Sequence, residues 1–206
     1  MEINAMQAVQ WIEKANEKFQ ENREYLTSLD RPIGDGDHGL NMSRGFKEAV
    51  KKLKAGNYST PSDVFKDVAM TLISKVGGAS GPLFGTGTAF LKMSVATAGQ
   101  QVLNESAFVK GLEAALDGIK QRGKATTGEK TMVDVWQPVV AWLKDNGFAT
   151  ASLLVEAEKA MNTTKDMTAT KGRAAYFKEK SAGHIDAGAT SSYYLFAALA
   201  EVLGGK

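Results

Sequence analysis

Asp30-Arg31-Pro32-Ile33-Gly34-Asp35-Gly36-Asp37-His38-Gly39-Leu40-Asn41 crowds three carboxylates into eight positions and punctuates them with glycine. Polar runs broken by Gly and Pro are turns rather than helix interiors. Glycine lets the backbone fold sharply, so Asp30, Asp35 and Asp37 can converge although their spacing suits no regular element. Converging carboxylates repel one another unless a cation sits among them. An all-oxygen donor set suits a hard cation such as Mg²⁺ or Ca²⁺. The EF-hand pattern, with its D-x-[DN]-x-[DN]-G core and late Glu, is absent. Mg²⁺ held by few carboxylates keeps coordination places for phosphates. Residue types alone leave two readings standing: a Mg²⁺–phosphate site, and an Asp-rich capped surface loop.

The rest of the composition narrows the classes. The chain has 206 residues, 43% of them apolar, enough for a substantial core. We read residues 1–206 as one domain, with no linker and no 20–50-residue repeat. A net charge of +2 gives no strong field toward nucleic acid or an anionic membrane. The absence of cysteine excludes disulfides and thiolate metal sites, and two histidines argue against zinc chemistry. No apolar run spans a bilayer and no signal-peptide pattern opens the chain, so the expected location is cytoplasmic.

Outward from the acidic loop, helical periodicity dominates. Val9, Ile12, Phe19, Leu26 and Leu29 predict one helix over 5–29 that delivers the chain to Asp30. Phe46, Val50 and Leu53 predict a second. Thr60-Pro61-Ser62-Asp63 is a start signal for a third, with a hydroxyl cap and Pro at the first helical position. Residues 77–87 are too glycine-dense for helix or strand, and a helix is expected from about Thr88 to Ala98. Further helices are expected over about 106–122 (stopped by Gly123), from Met132 to Gly147 with a kink or break at Pro138, over 152–171 and over 191–203. Residues 172–189 read as a long loop, and no strand is expected. The fold class is all-α, with about eight helices.

Two more stretches could carry chemistry. Gly77-Gly78-Ala79-Ser80-Gly81 leads toward a helix, a setting in which backbone amides and the helix dipole cradle an anion. It is neither a Walker A loop, lacking the Lys, nor a Rossmann turn, lacking the strand. Close helix packing is the competing explanation. Lys165, Lys171, Arg173, Lys178 and Lys180 form a basic run that mostly reads as a solvated face. Arg173, beside Gly172, is suited to bidentate phosphate contact. Asp186 either bonds a ligand or caps the following helix. His184 is a general-base candidate or a turn residue. His38, beside the acids, could contact phosphate or ribose, and a covalent phosphohistidine role is disfavoured by those acids. Met42 and Met132 read as core, although methionine also suits the face of a base.

Four blocks together carry a resemblance: Gly34–Asn41; Gly77–Thr86; Arg122-Gly123-Lys124 with Lys130-Thr131-Met132-Val133-Asp134; and Lys171–Tyr176 with Gly183–Ser191. In this order they resemble the nucleotide-binding subunits of dihydroxyacetone kinases over nearly the whole chain. The resemblance implies an antiparallel barrel of eight helices with a nucleotide site formed by loops at one end. It implies that Asp30, Asp35 and Asp37 hold two Mg²⁺ ions. His38, Gly39, Leu40 and Asn41, with Ala79 and Ser80, would line the phosphate and ribose region. Gly123 and Met132 would lie near adenine, and Arg173, Asp186, Ala187 and Gly188 would close over the nucleotide. No residue of this chain is assigned as the catalytic nucleophile. The implied cofactors are ADP or ATP with Mg²⁺. The implied partners are a dihydroxyacetone-binding subunit and a phosphohistidine protein of the sugar phosphotransferase system; a homodimer is left open, and neither nucleic acid nor membrane is expected. The chain's shortness favours the style with a separate subunit and resident ADP. The alternatives are the ATP-dependent form and an ADP-binding regulatory module without turnover.

Overall fold

A computed structural model describes residues 1–75 and 82–204. Among these it contains nine α-helices: α1 (Ala5–Glu21), α2 (Arg23–Asp30), α3 (His38–Lys54), α4 (Pro61–Lys75), α5 (Pro82–Ala96), α6 (Glu105–Gly123), α7 (Val133–Asn146), α8 (Thr150–Thr163) and α9 (Ala187–Gly204). Leaving out α2, each helix packs on the next in chain order and α9 returns to α1, so eight helices close a ring. Most connections between packed neighbours are short, and the long one from α8 to α9 has its two ends hydrogen-bonded to each other, so the arrangement is up-and-down. The all-α expectation holds, with α2 as the helix added outside the ring.

Local chemistry explains several boundaries. The expected helix over 5–29 is broken at Asn22, whose backbone lies at φ −103°, ψ 17°. Its amide nitrogen Nδ2 donates to the Lys18 carbonyl and its Oδ1 accepts from the Tyr194 hydroxyl, a local alternative to the helical ladder. The Thr60 start signal is realised: Thr60 Oγ1 accepts from the Asp63 amide at 3.2 Å. Residues 82–87 are helical, against the expectation, because their glycines serve contact rather than turning. A Cβ on Gly87 would meet Ile73 Cγ1 at 2.8 Å, so α4 and α5 approach closely only with glycine there. Lys124, not Gly123, takes the left-handed conformation that stops α6. The helix α7 runs through Pro138 without a break. Part of the long loop, Arg173–Ser181, forms 3-10 turns interrupted at Lys178.

A short antiparallel ribbon was not anticipated. Its strands are β1 (Glu2–Asn4) and β2 (Val102–Asn104), with Ile3 opposite Leu103. Three residues per strand are too few for an alternation signal. Each strand ends in an asparagine whose side chain caps the next helix, Asn4 accepting from the Gln7 amide and Asn104 from the Ala107 amide.

Inside the ring the core is aromatic. The Trp11 indole of α1 meets Phe65, Phe90 and Phe108 of α4, α5 and α6 edge-on, with centroids 5.5–6.0 Å apart. Its Nε1 donates to the Leu195 carbonyl of α9 at 2.8 Å. One side chain therefore ties five helices. Replacing Trp11 with alanine is expected to destabilise the fold by roughly 3–5 kcal/mol. Urea denaturation followed by circular dichroism measures this, and a loss below about 1 kcal/mol would show that the ring does not depend on this contact.

Candidate functional site

The acidic loop is built as a turn around its own first carboxylate. Asp30 Oδ2 accepts the backbone N–H groups of Asp37 and His38, at 3.0 and 3.2 Å. Gly36 sits at φ +72°, and a Cβ on Gly34 would overlap Asp30 Oδ1. Only glycine at 34 lets the chain pass so close to that oxygen. The outcome is that one carboxylate oxygen each of Asp30, Asp35 and Asp37 lies within 4.8 Å of the others. Arg173, from the long loop, ion-pairs with Asp35. An all-oxygen trio at this separation fits a hard divalent cation.

These carboxylates border a cavity of about 360 Å³. Its volume lies at the small-ligand end of the range for binding pockets, about 300–1,000 Å³. Ile119, Gly123, Ala125, Met132 and Val133 give one apolar part of its wall. The first turns of α3, α5, α7 and α9 also border it, through His38, Gly85, Val133 and Ala187. The up-and-down ring brings every second N-terminus to this end, and each carries the partial positive charge of its helix dipole, which Asp30 meets at the His38 amide and Asp186 at the Ala189 amide.

His38 is 7% exposed. Ser191 Oγ donates to the Gly188 carbonyl, leaving its lone pairs to accept from His38 Nε2 at 3.0 Å. Burial pushes the His38 imidazole down to about 4, against the opposing pull of Asp30 and Asp37, so the ring is neutral at pH 7. Asp186 caps α9, its Oδ2 accepting from the Ala189 amide at 2.7 Å. Lys130 lies 1% exposed beneath the long loop. Burial lowers its pKa, while Asp186, Asp166 and Asp134 act in the opposite direction.

Of the residues singled out in the sequence, Asp30, Asp35, Asp37, His38, Gly123, Met132, Arg173, Asp186, Ala187 and Gly188 all border this one cavity. Gly39, Leu40 and Asn41 do not. A Cβ on Gly39 would overlap the Arg23 carbonyl, so that glycine serves the packing of α3 on α2. Leu40 is exposed, and Asn41 Oδ1 accepts from Arg44. Ala79 and Ser80, with the rest of the 77–81 cradle, lie outside the described residues. His184 contributes its carbonyl, to Lys130, rather than its ring to the cavity wall. Arg122, Lys130, Thr131 and Ser191 stand in the blocks that carry the resemblance but were given no role in the site, and all four border the cavity. Lys130 sits in a polar connector and carries no sign of burial; Ser191 could be found only by knowing where α9 begins.

A family model described as the DAK2 domain matches residues 32–201. The chain is 50% identical over 195 residues to the ADP-binding subunit DhaL of the PTS-dependent dihydroxyacetone kinase from Lactococcus lactis, covering 95% of this chain and 96% of that one. It is 44% identical over 207 residues to the ADP-binding subunit DhaL of the PEP-dependent dihydroxyacetone kinase of Escherichia coli, covering 97% and 98%. It is 35% identical to the triokinase/FMN cyclase of Rattus norvegicus, where it spans 32% of that longer chain. Among solved structures, the dihydroxyacetone kinase of C. freundii in complex with AMP-PNP and Mg²⁺ superposes with a TM-score of 0.75 at 21% identity, over 97% of this chain and 34% of that one. At that identity the likeness shows the shared fold.

The half-buried Asp186 carboxyl is pushed up to about 6, chiefly by burial, with the Ala189 amide and Lys130 opposing. Its folded-state pKa is therefore above the unfolded value. The stability gained by proton binding is complete below about pH 3.8 and is lost as pH rises through about 6. Asp186→Asn keeps an oxygen for the cap but cannot ionise. The wild type is expected to lose stability relative to this variant between about pH 4 and 6, and to run parallel above that. Urea denaturation across that range decides it; a constant offset would place the carboxyl in water.

Proposed function

The chain belongs to the DAK2-domain family, and from that premise we propose that it is the nucleotide-carrying subunit of a dihydroxyacetone kinase, an enzyme of phosphoryl transfer. The observation that carries the reading is the meeting of three carboxylates, Arg173 and four helix N-termini at one cavity. Carboxylates alone select a cation, and helix N-termini alone select an anion. A Mg²⁺–diphosphate satisfies both.

In this reading Asp30, Asp35 and Asp37 would hold two Mg²⁺ ions, which would offset the charge of the nucleotide phosphates. The N-termini of α3 and α9 turn the positive ends of their dipoles toward the phosphates, and Arg173 adds a positive charge where charge develops on the moving group. His38, kept neutral by burial and held by Ser191, takes no part in proton transfer and orients the first turn of α3. Met132 and Gly123, on the apolar wall, take the base. Gly39, Leu40, Asn41, Ala79 and Ser80 remain assigned to the phosphate and ribose side by resemblance. The acceptor, dihydroxyacetone, sits on a partner subunit. The donor is a phosphohistidine protein of the sugar phosphotransferase system, which recharges ADP in place. The relatives at 44–50% identity, which this chain matches end to end, bear names of PTS-dependent or PEP-dependent kinase subunits, and they support this donor over free ATP. No described helix is long and apolar enough to cross a membrane, consistent with an encounter between soluble partners.

Protein purified without added nucleotide, then denatured and analysed by mass spectrometry, is expected to release ADP. Mixing it with a sugar-binding subunit and a phosphohistidine donor is expected to yield dihydroxyacetone phosphate. Turnover with ATP alone would favour the ATP-dependent form, and bound ADP without turnover the regulatory module. Asp35→Ala and Asp37→Ala are expected to keep the helical circular dichroism and abolish Mg²⁺-dependent ADP binding by calorimetry. Binding retained within about tenfold would refute the carboxylate assignment.

A further inference from the structure

Lys130 has a geometry that the reaction described above does not use. It is buried, and its backbone is held at φ +60°, left-handed for a residue with a side chain. The loop before it is fixed by Asp134, whose two oxygens accept the amides of Gly128 and Thr131, at 2.5 and 2.7 Å. This aims the lysine stem into the protein. Its ammonium donates to the carbonyls of Thr164 (2.6 Å), Met167 (3.2 Å) and His184. Three donors meet three acceptors, and among the described residues the ammonium makes no ion pair.

The positions of those acceptors matter. Because α8 ends at Thr163, short of the expected 171, the long loop starts at Thr164 and runs to α9; Thr164 and Met167 stand at its beginning and His184 near its end. The same neck is closed by the Gly183 amide on the Lys165 carbonyl, at 2.7 Å, and by the Asp186 amide on Thr164 Oγ1, at 3.1 Å. The span between is a strap whose ends touch, in the manner of an Ω-loop. Its far part carries Lys171, Gly172, Arg173 and Ala174 into the cavity wall, where Arg173 reaches Asp35. We propose that Lys130 is a positioning residue: it staples both ends of the 164–184 strap and thereby sets where Arg173 stands over the ligand.

Removing the ammonium would take a donor from three carbonyls at the neck, leaving Thr164 only the Met167 amide at 3.3 Å, while every other side chain that borders the cavity remained. The strap should then open more often, and Arg173 should spend less time at the site. The nucleotide part of this inference rests on the functional reading above; the strap part does not.

The test uses the full chain with Mg²⁺ and ADP as the probe. Lys130→Met is expected to keep the helical circular dichroism. Hydrogen exchange of amides in 168–184 should speed up by about tenfold or more, with α1 and α4 unchanged. The Kd for Mg²⁺-ADP should rise about tenfold, and Lys130→Met combined with Arg173→Ala should bind no worse than Arg173→Ala alone, within about twofold. Losses that multiply in the double variant, or strap amides that stay slow, would overturn the proposal. If Lys130→Met fails to fold, NMR of the wild-type lysine ammonium decides: slow proton exchange is expected, and exchange as fast as an exposed lysine's would sink the idea. If the wild type binds no Mg²⁺-ADP, the functional reading fails while the hydrogen-exchange result still decides the role of the neck.

Discussion

In an up-and-down ring of helices, only every second helix can begin at a given end. Here α3, α5, α7 and α9 begin where the three aspartates converge. Helix N-termini concentrate partial positive charge, and aspartates concentrate negative charge. Separately, each group makes a demand on its surroundings that the protein meets only in part: Arg173 offsets Asp35, and backbone amides satisfy Asp30. The architecture therefore leaves room for a ligand that is itself both cation and anion. That is the physical ground on which a metal–phosphate reading rests, and it follows from topology as much as from any side chain.

What the sequence revealed follows the range of the interactions involved. The acidic loop was legible because its chemistry is local: three acids and the glycines that bend them lie within one short stretch. Helices with broad apolar stripes, such as α4, were legible for the same reason. The break at Asn22 was not, because an asparagine among good helix formers gains its second bond from Tyr194, far away in the chain. The helical character of residues 82–87 was hidden because a glycine that allows close packing looks the same in sequence as a glycine that turns. Lys130 was invisible for the opposite reason: a cation in a polar connector reads as solvated, and nothing nearby tells that three carbonyls await it.

The wall of the cavity divides into stiff and soft parts. Val133 and Ile119 stand on helices of the main hydrophobic cluster, and Met132, at the cap of α7, packs against it. The strap rests on a small separate cluster of Ile33, Ala169 and Ala174, and it exposes Tyr176 almost fully. Little apolar area holds it down, so polar contacts at its neck govern its position. A site with a fixed floor and a strap of low local stability can admit a bulky ligand without disturbing the core.

The two-stranded ribbon lies at the opposite extremity. Both α1 and α6 start from it and run toward the cavity, and the 19 residues of α6 set it roughly 28 Å away. There the first residues of the chain grip a segment about a hundred positions later, so a large loop is closed at the foot of the barrel rather than at its mouth. The foundations are tied by backbone bonds, while the rim depends more on side-chain contacts that can let go. Traffic at the rim need never be felt below.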